Sequence, residues 1–254
     1  MAGAAALILA AGRGERMRPL TDHTPKPLLL VRGQPLLQWH LQALVRDGIA
    51  SALINTAWLG EQIEDQFGTG FGPPARPGEV ARGPGATSLH LHYSAEGRDF
   101  GRALETAGGI VRALPVLADV FWVLAGDVFA PDFRFSADRM QRFAESGRLA
   151  HLWLVPNPAH NARGDFGLAP DGLVLSRAEV QHTYSTIGLY RKALFAPPYC
   201  NLTAGNPTGR ALALAPLLRH AMQERRVSGE LYAGTWIDIG TPQRLQEVNR
   251  HPLA

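Results

Sequence analysis

A chain of 254 residues, 46% hydrophobic and 19% charged, is ordinary for a globular protein and long enough to bury the core of one large α/β domain. Its net charge of +3 is mild and its arginines are scattered, which argues against a nucleic-acid partner. The single cysteine, Cys200, excludes an internal disulfide and suits a reducing cytoplasm. The first residues lack a basic leader and their apolar stretch is too short to cross a bilayer, so neither a signal peptide nor a membrane span is expected.

In chain order, the continuous apolar run at 7–9 predicts a strand buried on both faces of a parallel sheet. A helix follows over 35–45, with Leu36, Leu37, His40, Leu41 and Leu44 at helical spacing and Gly48 as its stop. A strand at 52–55 and a short helix at 60–67 come next. Residues 68–88 are rich in glycine and proline and predict no regular element. A strand at 90–93, a helix at 103–114 and a strand at 120–124 complete the first half, the last strand ending at Gly126-Asp127. This alternation predicts a mainly parallel, doubly wound (Rossmann-like) sheet that binds ligands at the carboxyl ends of its strands. The second half is less regular and richer in β-structure. It predicts strands at 149–155 and 186–190, a hairpin within 163–175, an amphipathic helix at 211–222 and a short strand at 236–239. A final helix opens at Thr241-Pro242, with proline at its first position. No repeat, coiled coil or low-complexity tract is present. Residues 1–254 read as one domain, in two halves of about 1–130 and 131–254.

The segment after the first strand carries the clearest chemistry. Ala10, Ala11, Gly12 and Gly14 let the backbone approach a base and its phosphates and point N–H groups at an anion. Arg13, Arg16, Arg18 and Lys26 add positive charge, and Pro25 and Pro27 stiffen the chain around Lys26. The loop is not the dinucleotide fingerprint, because Met17 stands where the third glycine would be. It is not a Walker loop either, since no Gly-Lys-Ser/Thr follows. Asp127 lies where a buried strand reaches the ligand edge. Asp238 lies between apolar Ile237 and Ile239, where a carboxylate must be paired, metal-bound or turned to solvent. Taken alone, either aspartate reads equally as a cap or turn residue. Cys200 reads as a plain thiol, and His151, His160 and His182 show no metal-ligand spacing.

LAAGRGERMRPLT followed by PKP resembles the signature of sugar-1-phosphate nucleotidyltransferases, and the resemblance runs to about Leu245. It is closest to the N-acetylmuramate alpha-1-phosphate uridylyltransferases of bacterial cell-wall recycling, through NTAWLGEQIED, ALETAGGI, GDV, RGDFGL, LAPLLRHAM and SGELYAGTWIDIGTPQRL. The resemblance implies a transferase that joins UTP to a sugar 1-phosphate, with the first half holding nucleotide and the second holding sugar. It implies Arg16 on the triphosphate and leaving pyrophosphate, Lys26 near the α-phosphate, and Mg2+ on Asp127 and Asp238. Nucleotide contacts fall to Ala10, Ala11, Gly12, Arg13, Gly14, Glu105, Thr106 and Gly108, although by residue type alone Arg13 and Arg18 read as solvated surface charges. Sugar contacts fall to Arg163, Gly164, Asp165 and Gly188, with Arg163 a candidate to read the lactyl carboxylate of muramate by a bidentate pair. A hairpin-turn arginine is an equal reading of Arg163. The chain departs from the pattern at Ala107, where a glycine is expected, and at Ala125, where an asparagine is expected. Rival readings are a relative charging glucose, mannose or heptose phosphate, a glycosyltransferase with a similar sheet, and a non-catalytic nucleotide-binding protein. Asp-x-Asp, usual in such glycosyltransferases, is absent where Gly126-Asp127-Val128 stands. No β-helix or acyltransferase extension is expected beyond the final helix. The oligomeric state stays open.

Overall fold

The computed structural model describes residues 3–72 and 88–250. An eight-stranded sheet runs through the molecule. In chain order its strands are β1 (Ala4–Leu9), β2 (Ser51–Thr56), β3 (Gly70–Phe71), β4 (Leu89–Ala95), β5 (Leu117–Ala125), β6 (Ala150–Val155), β7 (Thr183–Arg191) and β8 (Val227–Leu231). Their spatial order is β8-β6-β7-β5-β1-β2-β4-β3. β4, β2, β1 and β5 pair in parallel; β7 runs antiparallel between β5 and β6; β8 pairs parallel to β6. Six strands therefore point one way, and the expected mainly parallel, doubly wound sheet is present. One expectation needs correcting: Gly70–Phe71, within the segment read as irregular, pairs antiparallel with β4. The rest of that segment, 73–87, lies outside the described residues.

Strand alternation sorts side chains to two faces, and helices cover both. On one face, Leu7 and Val123 pack with Ile110 and Val111 of α4 (Glu105–Ala113) and with Leu214, Leu217 and Leu218 of α6 (Leu214–Gln223). On the other, Ile8, Trp122 and Leu124 meet Leu37, Leu41 and Leu44 of α1 (Leu36–Arg46), Ile63 of α2 (Gly60–Phe67) and Phe143 of α5 (Ala137–Glu145). Two further helices are α3 (Glu96–Phe100) and α7 (Pro242–Arg250). A smaller cluster packs Met17, Val31 and Phe129 against Ile239, Leu245 and Val248, tying the loop after β1 to the C-terminal helix. α5 escapes a periodicity reading because Phe143 is its one fully buried residue. Its start is marked locally instead, by the Ser136 hydroxyl accepting from the Arg139 N–H at 3.3 Å. The expected hairpin within 163–175 is the antiparallel pair Gly167–Leu168 and Val174–Leu175. The expected strand at 236–239 is Ile237–Asp238, which pairs with Val128–Phe129 just past β5. That pairing carries the chain terminus back to the strand ends where the cleft opens.

Candidate active site

β1 and β5 end side by side, and the loops beyond them line a cleft of about 750 Å3. Gly12, Gly14, Arg16 and Lys26 form one wall, Glu105 and Thr106 a second, and Asp165, Tyr184, Thr186 and Arg219 the wall opposite. The first wall is braced from behind. The Ala10 N–H donates to Asn55 Oδ1 at 2.7 Å, and Asn55 Nδ2 donates to Glu96 Oε1 at 2.7 Å. Glu96 Oε2 accepts the Leu104 N–H at 2.8 Å, so one buried carboxylate ties the loop after β1 to the start of α4. Burial pushes the Glu96 carboxyl up, opposed by those two donors. Gly14 adopts the left-handed conformation (φ +68°) and its carbonyl accepts from Thr21 Oγ1 at 2.9 Å. Gly12 has nothing within 4 Å of where a Cβ would sit, so its bareness faces open cleft. Ala11 is buried beside the loop and does not line the cleft.

Arg13 turns out of the cleft. Its guanidinium lies 3.5 Å from the centre of the Trp58 ring, and both side chains donate to the Thr21 carbonyl at 2.9 Å. It is neither a solvated surface charge nor a cleft-lining residue, but a clasp that closes the loop. Arg18, exposed, pairs with Asp22 at 2.7 Å. Arg16 lines the cleft and makes no hydrogen bond or ion pair with a described residue.

Lys26 is 7% exposed, yet its Nζ reaches Asp127 Oδ2 at 2.5 Å. Burying an ammonium requires such a partner. Asp127 is anchored by its own backbone, whose carbonyl accepts the Ile239 N–H at 2.8 Å. That bond and the register pairing Asp238 with Val128 bring Asp127, in the turn before Val128–Phe129, next to the strand that carries Asp238. Asp238 is itself occupied: Arg244 Nη1 forms an ion pair with its Oδ1, and His160 Nε2 stands 3.2 Å from the same oxygen. Gly240 makes room for this, since a Cβ there would meet Arg244 Nη2 at 2.6 Å. Among the described residues no cluster of three or more His, Cys, Asp or Glu side chains could hold a metal. Two neighbouring carboxylates still suit a hard divalent cation whose remaining ligands are phosphate oxygens and water. His40 of α1 packs beneath Asp127. Burial drives its imidazole down to about 4, against upward pulls from the backbone of Val128 and Ala125 and from Asp127.

On the opposite wall, Asp165 Oδ2 accepts the Tyr184 N–H at 2.8 Å and Asn161 Nδ2 at 3.2 Å. Tyr184 and Tyr190 share a buried hydroxyl contact of 2.6 Å beneath it. Thr186 takes a left-handed φ of +62° where β7 slips register, which pushes it into the cleft. Glu105, also on the cleft, has a φ of +57°. Three of the glycines expected to touch ligand are packing residues here. A Cβ on Gly108 would meet the Arg210 carbonyl at 2.7 Å, on Gly164 Asn157 Oδ1 at 2.8 Å, and on Gly188 the Tyr190 ring at 2.9 Å. Ala107 is fully buried in the core, so its methyl points away from the cleft; Ala125 lines the cleft. Arg163 is exposed and outside the cleft lining. The cation on this wall is Arg219, on α6, which sequence reading passed over within LAPLLRHAM. Asn55, Glu96 and Arg244 were passed over likewise, and His160, read only as lacking metal-ligand spacing, is marked by its distant partner Asp238.

A glycine-bearing loop at parallel strand ends and a buried lysine paired with Asp127 line one cleft, and Asp238 lies behind it on the neighbouring strand without lining it. Residues 5–254 match the nucleotidyl transferase family, and the chain belongs to it. It is 45% identical to the N-acetylmuramate alpha-1-phosphate uridylyltransferase of Neisseria meningitidis serogroup B, covering 96% of each chain. It is 26% identical to the protein of the same name from Caulobacter vibrioides, over 94% of this chain and 92% of that one. Among solved structures, a putative glucose-1-phosphate thymidylyltransferase from Bacillus anthracis superimposes with a TM-score of 0.74 over 96% of this chain and 93% of that one. At 18% identity it shares the fold. Among the described residues no helix is long and apolar enough to cross a membrane.

Proposed function

We propose that the protein transfers UMP from UTP to N-acetylmuramate α-1-phosphate in the cytoplasm, giving UDP-N-acetylmuramate and pyrophosphate for peptidoglycan recycling. The observation that carries this reading is the buried Lys26–Asp127 pair at the strand ends of a chain 45% identical along its length to a uridylyltransferase of that specificity. A phosphate oxygen of the sugar 1-phosphate attacks the α-phosphorus of UTP. The new P–O bond forms as the bond to the β-phosphate bridging oxygen breaks, and pyrophosphate leaves with that electron pair. The nucleophile is already an anion, so no strong base is required. Positioning and positive charge supply the catalysis.

Residues of about 1–130 take the nucleotide and those of about 131–254 the sugar. The backbone at Ala10, Gly12 and Gly14 approaches base and phosphates, with Glu105 and Thr106 across from it. Arg16, unpaired among the described residues, is free to meet the β- and γ-phosphates. Lys26, held by Pro25 and Pro27 on a buried stem, meets the α-phosphate. Asp127 and Asp238 would hold Mg2+, which supplies charge neutralisation of the triphosphate oxygens. Asp165 fixes the Tyr184 backbone and faces the sugar hydroxyls. The test is pyrophosphate release with Mg2+ over a grid of nucleoside triphosphates and sugar 1-phosphates. Release confined to UTP with N-acetylmuramate α-1-phosphate, and lost in Asp127→Asn, is the expected result. Release with a different pair overturns the substrate and keeps the chemistry.

A further inference from the structure

We propose that Arg219 is the residue that reads the carboxylate of the sugar substrate. The inference rests on the muramate reading above and adds the side chain that enforces it. Three basic side chains line the cleft among the described residues: Arg16, Lys26 and Arg219. The first two sit on the loop beyond β1, on the Asp127 side, where the phosphates lie. Arg219 sits across from them on α6, whose Leu214, Ala215 and Leu218 share its cleft-facing side, with Asp165, Phe166 and Tyr184 beside it.

The guanidinium is held rigidly. Nη1 donates to the Ser176 carbonyl at 2.6 Å and to Ser176 Oγ at 2.7 Å, Nη2 reaches the Asp165 carbonyl at 3.4 Å, and the group lies 5.1 Å from the Phe166 ring centre. These bonds use at most three of its five N–H groups. At least two remain, the number a carboxylate takes in a bidentate pair. All three protein acceptors are neutral, and among the described residues no Asp or Glu forms an ion pair with Arg219. Asp165, the nearest acid in sequence to that contact, has its carboxylate turned to the Tyr184 N–H and to Asn161. A half-buried, fixed cation with neutral partners is built to receive an anion from outside the protein. On the sugar side of this cleft that anion is the lactyl carboxylate, the group by which muramate differs from glucosamine. Because the fork is already ordered, little side-chain entropy is lost when it binds. Arg163, exposed and outside the cleft lining, has none of these properties.

The experiment is steady-state kinetics with UTP and three acceptors: N-acetylmuramate α-1-phosphate, its lactyl carboxamide, and N-acetylglucosamine α-1-phosphate. Wild type, Arg219→Gln, Arg219→Lys and Arg163→Ala are compared. Wild type should prefer the acid over the carboxamide. Arg219→Gln should raise KM for the acid about 10- to 100-fold with little change in kcat, and should treat acid and carboxamide alike. Its melting temperature should match wild type, which shows that the variant folds. Arg219→Lys should keep part of the acid preference, and Arg163→Ala all of it. If Arg219→Gln retains the wild-type acid-to-carboxamide ratio, the assignment to Arg219 is overturned while the muramate reading stands. If Arg219→Gln and Arg219→Lys both lower turnover of the carboxamide as strongly as that of the acid, Arg219 is a scaffold residue and the inference fails. Wild type that turns over another sugar phosphate and ignores muramate overturns the functional reading and this inference with it.

Discussion

The two long walls of the cleft handle charge differently. On the phosphate wall Lys26 is matched in advance to Asp127, as Arg244 is to Asp238 beside it, and Arg16 alone among the described residues there stays unmatched. The loop after β1 that carries Arg16 and Lys26 is pinned from outside the cleft by Asn55, Glu96 and Trp58. On the sugar wall Arg219 rests on neutral oxygens and keeps an unmatched charge. A wall that meets the part shared by all nucleoside triphosphates can afford internal pairing. A wall that must tell one sugar from another keeps a donor unspent, because discrimination comes from groups left dissatisfied by the wrong substrate.

The strongest way to break this comparison is at Lys26. Lys26→Met should lower kcat by about 10²- to 10³-fold in a pyrophosphate-release assay while leaving relative preference among sugar phosphates unchanged. A changed sugar preference would mean that the walls are not separate. His40 gives the next effect. Its imidazole titrates at about 4 when folded, below the usual value of 6.5. Between those values the unfolded chain binds the extra proton, so stability is complete above about pH 6.5 and falls as the pH drops toward 4. The loss is on the order of 3 kcal/mol. Denaturant midpoints measured across that range should slope in wild type and flatten in His40→Gln.

The glycines sharpen the comparison further. Gly109→Ala would place a Cβ 2.6 Å from Glu96 Oε1 and 2.8 Å from Asn55 Nδ2, and should cost about 1–3 kcal/mol of stability. Gly12→Ala meets nothing within 4 Å and should leave the melting temperature alone while raising KM for the nucleotide. The smallest expected effect is at the clasp. Trp58→Phe loses the bond to the Thr21 carbonyl, about 1 kcal/mol, and should show as a modest rise in nucleotide KM with the acid-to-carboxamide ratio intact.

What the sequence revealed follows the same division. The phosphate wall is written in one local order, strand, small residues, arginines and Pro-Lys-Pro, so Gly12, Gly14, Arg16 and Lys26 could be picked out together. Asp127 could be placed because a buried strand must end at the ligand edge. The braces could not, because Asn55 and Glu96 act on positions 45 and 8 residues away, and a single chain shows no pairing. The sugar wall misled more. Arg163 precedes a glycine at φ +66° in an exposed turn, which directs attention to a motif rather than to the cleft. Arg219 hides in the middle of an amphipathic helix, where a basic residue reads as solvated. Gly108, Gly164 and Gly188 illustrate a general ambiguity: a missing side chain admits a ligand or a neighbouring chain, and only packing tells them apart.

The contact between Lys26 and Asp127 also sets up reciprocal coupling between two ligands of opposite sign. Each partner is the other's competitor for outside charge. With the roles proposed above, a triphosphate that draws Lys26 away would leave Asp127 bare and so raise the affinity for a divalent cation, and a cation at Asp127 would release Lys26 by the same free energy. Neither ligand alone should then display its full affinity, and a cation titration should tighten when triphosphate is present. Heterotropic cooperation of this kind requires no moving domain, only one hydrogen bond that either ligand would weaken.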